Sequence, residues 1–262
     1  MSRNSWLCFE INIEVVLNYK YSEIVFSIVN MKSYDFLEFM SIFLPERILD
    51  FELETLSRPS LALRRDISLA AARSLLLEKG HISLSQLSDV CISHEPSGQP
   101  FLRMIGNGAG SVLPPLSVSH SCFWVGCLIG ESLAQVGLDI EDMKSEGRLS
   151  PRPLADLAKY AFSPSEIEFV NLYQEKGFYR IWTTKEAIAK CTGQGLDTAL
   201  SLDLGEQFLS FFSSGDDLND GEISLELKVH FFSGVEDNFD MYTIRQIIMD
   251  KRLMVTIAQR KW

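Results

Sequence analysis

The chain has 262 residues, 46% hydrophobic and 23% charged, a composition that fits one large or two small domains with real cores and excludes wholesale disorder. Its 35 Asp and Glu outnumber 24 Lys and Arg, leaving a net charge of −11, the wrong sign for a protein that neutralises a nucleic-acid backbone. No apolar stretch approaches the roughly 20 residues that span a bilayer, and Glu10 and Glu14 interrupt the apolar start before a signal-peptide core forms. Cys8, Cys91, Cys122, Cys127 and Cys191 are odd in number and lack C-x-x-C spacing, which argues against a disulfide scaffold and a cysteine zinc site. A reduced, cytoplasmic protein is expected.

In chain order, Trp6 to Val29 is rich in β-branched and aromatic residues and predicts one or two strands. Tyr34 to Phe43 predicts a short helix ending before Pro45. Arg64 to Leu77 has apolar residues at helical spacing and three alanines, and Gly80 closes it. The Gly- and Pro-rich stretch from Glu95 to Pro115 reads as loop or hairpin. Leu116 to Ile129 predicts strands on either side of Ser119-His120-Ser121, and Val136 to Glu141 a further short strand.

Ser163-Pro164-Ser165-Glu166 has the pattern of a capped helix start with proline in the first turn. The spacing predicts a helix from there to about Lys176 and a second over Phe178 to Lys190, ending near Gly193 and Gly195. Beyond them, Leu209–Phe212, Ile223–Phe232, Tyr242–Ile248 and Leu253–Ala258 read as strands. The acidic run from Asp216 to Gly221 places Leu218 and Leu227 where a calcium loop needs oxygen ligands, so it reads as a turn. The fold class is α+β, with a long helix and several strands in each half and no visible sequence repeat.

Three constellations carry candidate chemistry. Asp139 and Glu141 lie two apart on a predicted strand, so both carboxylates project from one face and suit either a hard cation or solvent. In Trp182-Thr183-Thr184-Lys185-Glu186-Ala187-Ile188-Ala189-Lys190, Glu186 and Lys190 share a helical face. They read as an ordinary ion pair, or as a third carboxylate beside cations for an anion. Ser119 and His120 are neighbours on a strand and face opposite ways, and the chain has no G-x-S-x-G. A histidine that contacts an anion or serves the structure therefore fits better than a triad base.

Taken in order, S-H-S, V-G-L-D-I-E, F-S-P-S-E and W-T-T-K-E-A-I-A-K followed by G-Q-G-L resemble the Sfp-type 4'-phosphopantetheinyl transferases, over roughly Arg64 to Leu196. The resemblance implies two similar α/β halves, each a small antiparallel sheet with a long helix, and an active site at their interface. The N-terminal half would be residues 1–136, with the coenzyme A nucleotide contacts, and the C-terminal half residues 137–262, with the magnesium and catalytic residues. It implies magnesium-dependent transfer of the 4'-phosphopantetheine arm of coenzyme A to a serine of an acyl or peptidyl carrier protein, releasing adenosine 3',5'-bisphosphate. By motif, Asp139, Glu141 and Glu186 would bind the metal, Glu186 would serve as or position the general base, and Lys190 would meet developing charge. Lys185, Arg64 and Arg65 would contact phosphate, Ser119 and His120 the nucleotide end, and Arg73 either phosphate or a structural partner. Gly98-Gln99-Pro100 stands where the family often has G-K-P, so a charge near the nucleotide is missing.

A monomer is expected, with no nucleic-acid or membrane partner. The carrier would dock on Phe169, Leu172, Tyr173 and Phe178, rimmed by Lys176 and Arg180, although helical spacing also suits these aromatics to a core. The alternatives are a non-catalytic coenzyme A or carrier-binding protein and a metal-dependent phosphohydrolase.

Overall fold

The structure, a computed structural model, describes residues 19–21, 24–31, 36–44, 46, 59–106, 110–130, 135–144, 154–213, 222–230 and 239–261. The expected strand material before Tyr19 and the acidic turn at 216–221 lie outside the described residues. Among the described residues no helix is long and apolar enough to cross a membrane.

Helices and antiparallel sheets alternate. Strands β1 (Tyr19–Tyr21) and β2 (Ile24–Asn30) precede helices α1 (Phe36–Phe43) and α2 (Leu61–Glu78). A hairpin of β3 (Val90–His94) and β4 (Pro100–Met104) leads into β5 (Leu116–Ser121), β6 (Trp124–Gly130) and β7 (Val136–Asp142). Helices α3 (Leu154–Ala161), α4 (Pro164–Thr192), α5 (Leu196–Leu200) and α6 (Gly205–Ser213) follow, then β8 (Glu222–Val229), β9 (Asp240–Met249) and β10 (Leu253–Lys261). The strands form one sheet of order β1-β2-β6-β5 and another of order β7-β10-β9-β8, with antiparallel pairing throughout.

Helix α2 forms where the alanines and leucines recur at helical spacing. The Ser60 hydroxyl caps it by accepting from Leu63 N at 3.1 Å, and Gly80, at φ 73°, turns the chain out of it. Its Leu63, Ile67, Ala70, Ala71, Leu75 and Leu76 pack with Val29, Val125, Cys127 and Ile129 on one face of the first sheet. Arg73 is structural. It is 2% exposed and donates to the Phe43 and Val90 carbonyls and to Glu46.

Helix α4 starts with the expected capping box, in which Ser163 and Glu166 satisfy each other's backbone amides. The two helices expected here share one element interrupted by a single non-helical residue, Gln174, at φ 54° and ψ −135°. Phe169, Phe178, Ile181 and Ile188 of α4 pack with Phe208, Leu227, Tyr242 and Met254 over the second sheet. The sheets meet along a third apolar seam of Phe26, Ile28, Leu128, Leu138, Ile140, Val255 and Ile257.

Three expectations change. Leu209–Phe212 lies in α6, not in a strand. Phe208 and Phe212, one helical turn apart, both enter the core, and Asp203 accepts from Gly205 N at the helix start. The Ser119-His120-Ser121 triplet ends a strand instead of separating two, because Cys122, at φ 51°, makes the turn into β6. The expected carrier dock is in part core: Phe169, Phe178 and Arg180 are buried, Tyr173 and Lys176 are part-buried, and Leu172 is exposed.

Candidate active site

Strand β7 carries both wall and chemistry. Val136, Leu138 and Ile140 enter the seam between the sheets, so the pleat turns Gly137, Asp139 and Glu141 to the other side, where α4 crosses. The crossing is close: a Cβ built on Gly137 would lie 1.9 Å from the Ala187 carbonyl oxygen and 2.6 Å from Cys191 N. That approach sets Glu186 and Lys190 of α4 beside the β7 carboxylates. Lys190 Nζ is 2.7 Å from Asp139 Oδ1 and 3.8 Å from Glu186 Oε2.

A cavity of about 680 Å³ opens here, lined by Asp139, Glu141, Glu186 and Lys190 at one end and by Arg64, Arg65 and His120 toward α2. Leu61, Leu69, Ile92, Pro100 and Val118 supply apolar wall, which the sequence reading did not single out. The lining suits a ligand with one anionic region and one apolar part.

Burial pushes the Glu141 carboxyl up to about 7, with Asp139 and Glu186 adding to the shift while Ser121 and Lys190 oppose it. Burial, then Asp139, also raises Glu186, against the pull of Lys190. Desolvation, together with the Arg64 and Lys190 cations, holds the His120 imidazole below the ordinary histidine value. At neutral pH it meets a ligand chiefly as a hydrogen-bonding group.

The carboxylates have the character of a hard-cation site. Asp139 Oδ2 is buried with no hydrogen-bond partner, although Oδ1 accepts from Ser119 and Lys190. Among the described residues, no three His, Cys, Asp or Glu side chains are close enough together to enclose an ion. The orphaned oxygen and its acidic neighbours fit a cation that draws its remaining ligands from water and phosphate, as magnesium does.

One sequence expectation is corrected, and one residue is already engaged. Lys185 does not reach the cavity. It is fully buried on the opposite side of α4, paired with Glu166 at 2.8 Å, and it donates to the Leu200 and Leu202 carbonyls at 3.0 and 2.7 Å. Successive helix positions are about 100° apart, so Lys185 and Glu186 cannot serve one pocket. Ser119 borders the cavity but its hydroxyl is fully used: it donates to Asp139 and accepts from Ile140 N and Lys190.

Of the residues expected at the site, Arg64, Arg65, Ser119, His120, Asp139, Glu141, Glu186 and Lys190 are brought together. Gln99 does not line the cavity. It crosses instead to donate to the Lys190 carbonyl at 3.3 Å, tying the β3–β4 hairpin to the end of α4. Ser117 was not singled out and Ser121 was given no role, and their signal was serine at alternate positions of one strand.

Comparison with known proteins bears on part of this chain. Residues 135–235 match the 4'-phosphopantetheinyl transferase superfamily, a stretch that includes Asp139, Glu141, Glu186 and Lys190 but not Arg64, Arg65, Ser119 or His120. The chain is similar to a 4'-phosphopantetheinyl transferase of Bacillus subtilis, 33% identical over 140 residues, which are 51% of this chain and 54% of the relative. It is also similar to a 4'-phosphopantetheinyl transferase of Bacillus pumilus, 31% identical over 119 residues, 44% of this chain and 45% of the relative. The chain thus spans about half the length of these curated relatives.

Proposed function

We propose that this chain, whose residues 135–235 belong to the 4'-phosphopantetheinyl transferase superfamily, moves the phosphopantetheine arm of coenzyme A onto a serine hydroxyl of an acyl or peptidyl carrier protein. The observation that carries the proposal is the meeting, in one cavity, of Asp139, Glu141, Glu186 and Lys190 with His120, Arg64 and Arg65. A diphosphate substrate with a nucleotide at one end needs both groups. The finer reading of the fold belongs to the same proposal. Residues 1–136 form a nucleotide-holding half and residues 137–262 a catalytic half, supported by a four-stranded antiparallel sheet with a long helix in each.

In this reading the carrier serine oxygen attacks the phosphorus that bears the pantetheine arm. The bond from that phosphorus to the bridging diphosphate oxygen breaks, and adenosine 3',5'-bisphosphate leaves. Glu186 accepts the serine proton or positions its acceptor. Lys190 supplies a fixed positive charge to the phosphate oxygens as charge develops on the leaving group. Asp139 and Glu141 would hold magnesium, with Glu186 reaching it directly or through water; when bound, the ion neutralises the diphosphate. His120, Arg64 and Arg65 orient the nucleotide from the α2 side.

The test is to incubate the protein with coenzyme A, magnesium and an apo carrier protein and to weigh the carrier. The expected result is a gain of one phosphopantetheine arm. Coenzyme A cleaved without carrier modification would indicate a phosphohydrolase, and binding of either partner without turnover a non-catalytic protein.

A further inference from the structure

The two sheets are joined at the site by serine side chains. Ser117, Ser119 and Ser121 alternate along β5, and their hydroxyls reach the edge of β7 that faces away from β10. Leu138 N donates to Ser117 Oγ at 2.9 Å, Ile140 N to Ser119 Oγ at 3.2 Å and Asp142 N to Ser121 Oγ at 3.0 Å. All three serines are buried. They satisfy alternate amides of a strand edge that would otherwise lose its partners inside the protein.

Two rungs of this ladder do more. Ser119 passes its own hydrogen to Asp139 Oδ1 at 2.9 Å, and Ser121 passes its hydrogen to Glu141 Oε2 at 2.7 Å. Each therefore grips the strand backbone and the carboxylate of the residue just before that amide. Ser117 faces Gly137 at the equivalent position and has no carboxylate to hold. With Oδ1 occupied by Ser119 and Lys190, the Asp139 oxygen left free is Oδ2.

We infer that Ser119 and Ser121 are positioning residues that fix the Asp139 and Glu141 carboxylates in the orientation that receives a divalent cation. The inference rests on the reading of those two carboxylates as cation ligands. Ser117 supplies an internal control, since it makes the same amide contact without the carboxylate one.

The experiment measures Mn²⁺ affinity of the full chain, without coenzyme A, by electron paramagnetic resonance or titration calorimetry, alongside circular dichroism and thermal unfolding. Ser117→Ala, Ser119→Ala and Ser121→Ala each remove one amide acceptor, so all three should lower the melting temperature. Ser117→Ala should leave Mn²⁺ affinity at the wild-type level, whereas Ser119→Ala and Ser121→Ala should weaken it about tenfold, as when the hydrogen-bond partner of a metal ligand is lost. Ser121→Thr restores the hydroxyl and should recover affinity to within about twofold, a recovery that lost stability alone does not predict. Should Ser121→Ala fail to fold, Ser119→Ala against Ser117→Ala carries the comparison. Equal Mn²⁺ affinity across the three alanine variants overturns the positioning role while leaving the cation site in place. No saturable Mn²⁺ binding by the wild-type protein overturns the cation site itself, and the inference with it.

Discussion

Gly137 should be the least replaceable residue near the site that carries no chemistry. In Gly137→Ala the new methyl carbon would start 1.9 Å from the Ala187 oxygen, and ordinary contact begins at 3.4 Å, so strand and helix must part by about 1.5 Å. Neither side yields easily, because the obstacles are the Ala187 carbonyl and the Cys191 backbone amide and Cβ, not the tip of a flexible side chain. Overpacking of this kind costs about 1–3 kcal/mol of stability. The displacement also acts on the 2.7 Å contact between Lys190 and Asp139 and on the 3.3 Å tie from Gln99 to the Lys190 carbonyl. A 1 Å misplacement of catalytic groups can lower turnover about a hundredfold. The expected result is a kcat for carrier modification reduced by about that factor in a protein that still unfolds cooperatively in urea. A Gly137→Ala variant with wild-type kcat would refute the argument that this close crossing sets the site geometry.

Lys185→Met should destabilise the protein by about 3–5 kcal/mol in urea unfolding, because it leaves the Glu166 carboxylate buried without its ion partner. A stable variant with a raised coenzyme A KM would instead restore Lys185 to the phosphate site. Glu141 gives a pH dependence, measurable in the presence of a chelator. Its carboxyl is raised from an ordinary 4.5 to about 7, chiefly by burial, so the folded state holds this proton more tightly than the unfolded chain does. The stability it contributes is fully present below about pH 4.5 and is lost as pH rises through about 7. Glu141→Gln should flatten that part of the urea-stability profile, and parallel profiles for the two proteins would count against the burial argument. His120→Ala should raise the coenzyme A KM more than it lowers kcat, as loss of a binding contact does; a collapse of kcat at unchanged KM would make His120 part of the chemistry.

Much of this was legible beforehand where one local rule sufficed. The alanine-rich run between Arg64 and Leu77, the Ser163–Glu166 capping box and the shared face of Asp139 and Glu141 each follow from periodicity or end chemistry within a few residues. Direction was harder. Periodicity says that Lys185 and Glu186 face different ways, but only the packing of α4 on β7 decides which of them meets the cavity. The run from Phe208 to Phe212 satisfies both a strand's composition and a helix's spacing, and the aromatic pocket around Phe169 selects the helix. The serine ladder was hidden for another reason. A serine at alternate strand positions reads as a solvated face, and its burial appears only once a second sheet lies against it.

The placement of the carboxylates on β7 also explains why the site need not be built from loops. One face of β7 is Val136, Leu138 and Ile140 in the apolar seam, and a Cβ on Gly126 of β6 would come within 2.9 Å of the Leu138 side chain. The other face is Gly137, Asp139 and Glu141, with Gly137 under α4. The strand is thus clamped from both faces and along one edge by serine hydroxyls, while β10 holds the opposite edge. A carboxylate in such a position loses little further freedom when it meets a ligand, which is the benefit of mounting polar groups on a rigid element. The same clamping explains why burial raises the Glu141 carboxyl. The elements that hold it still also exclude water, and nearby positive charge such as Lys190 makes its ionised form less costly.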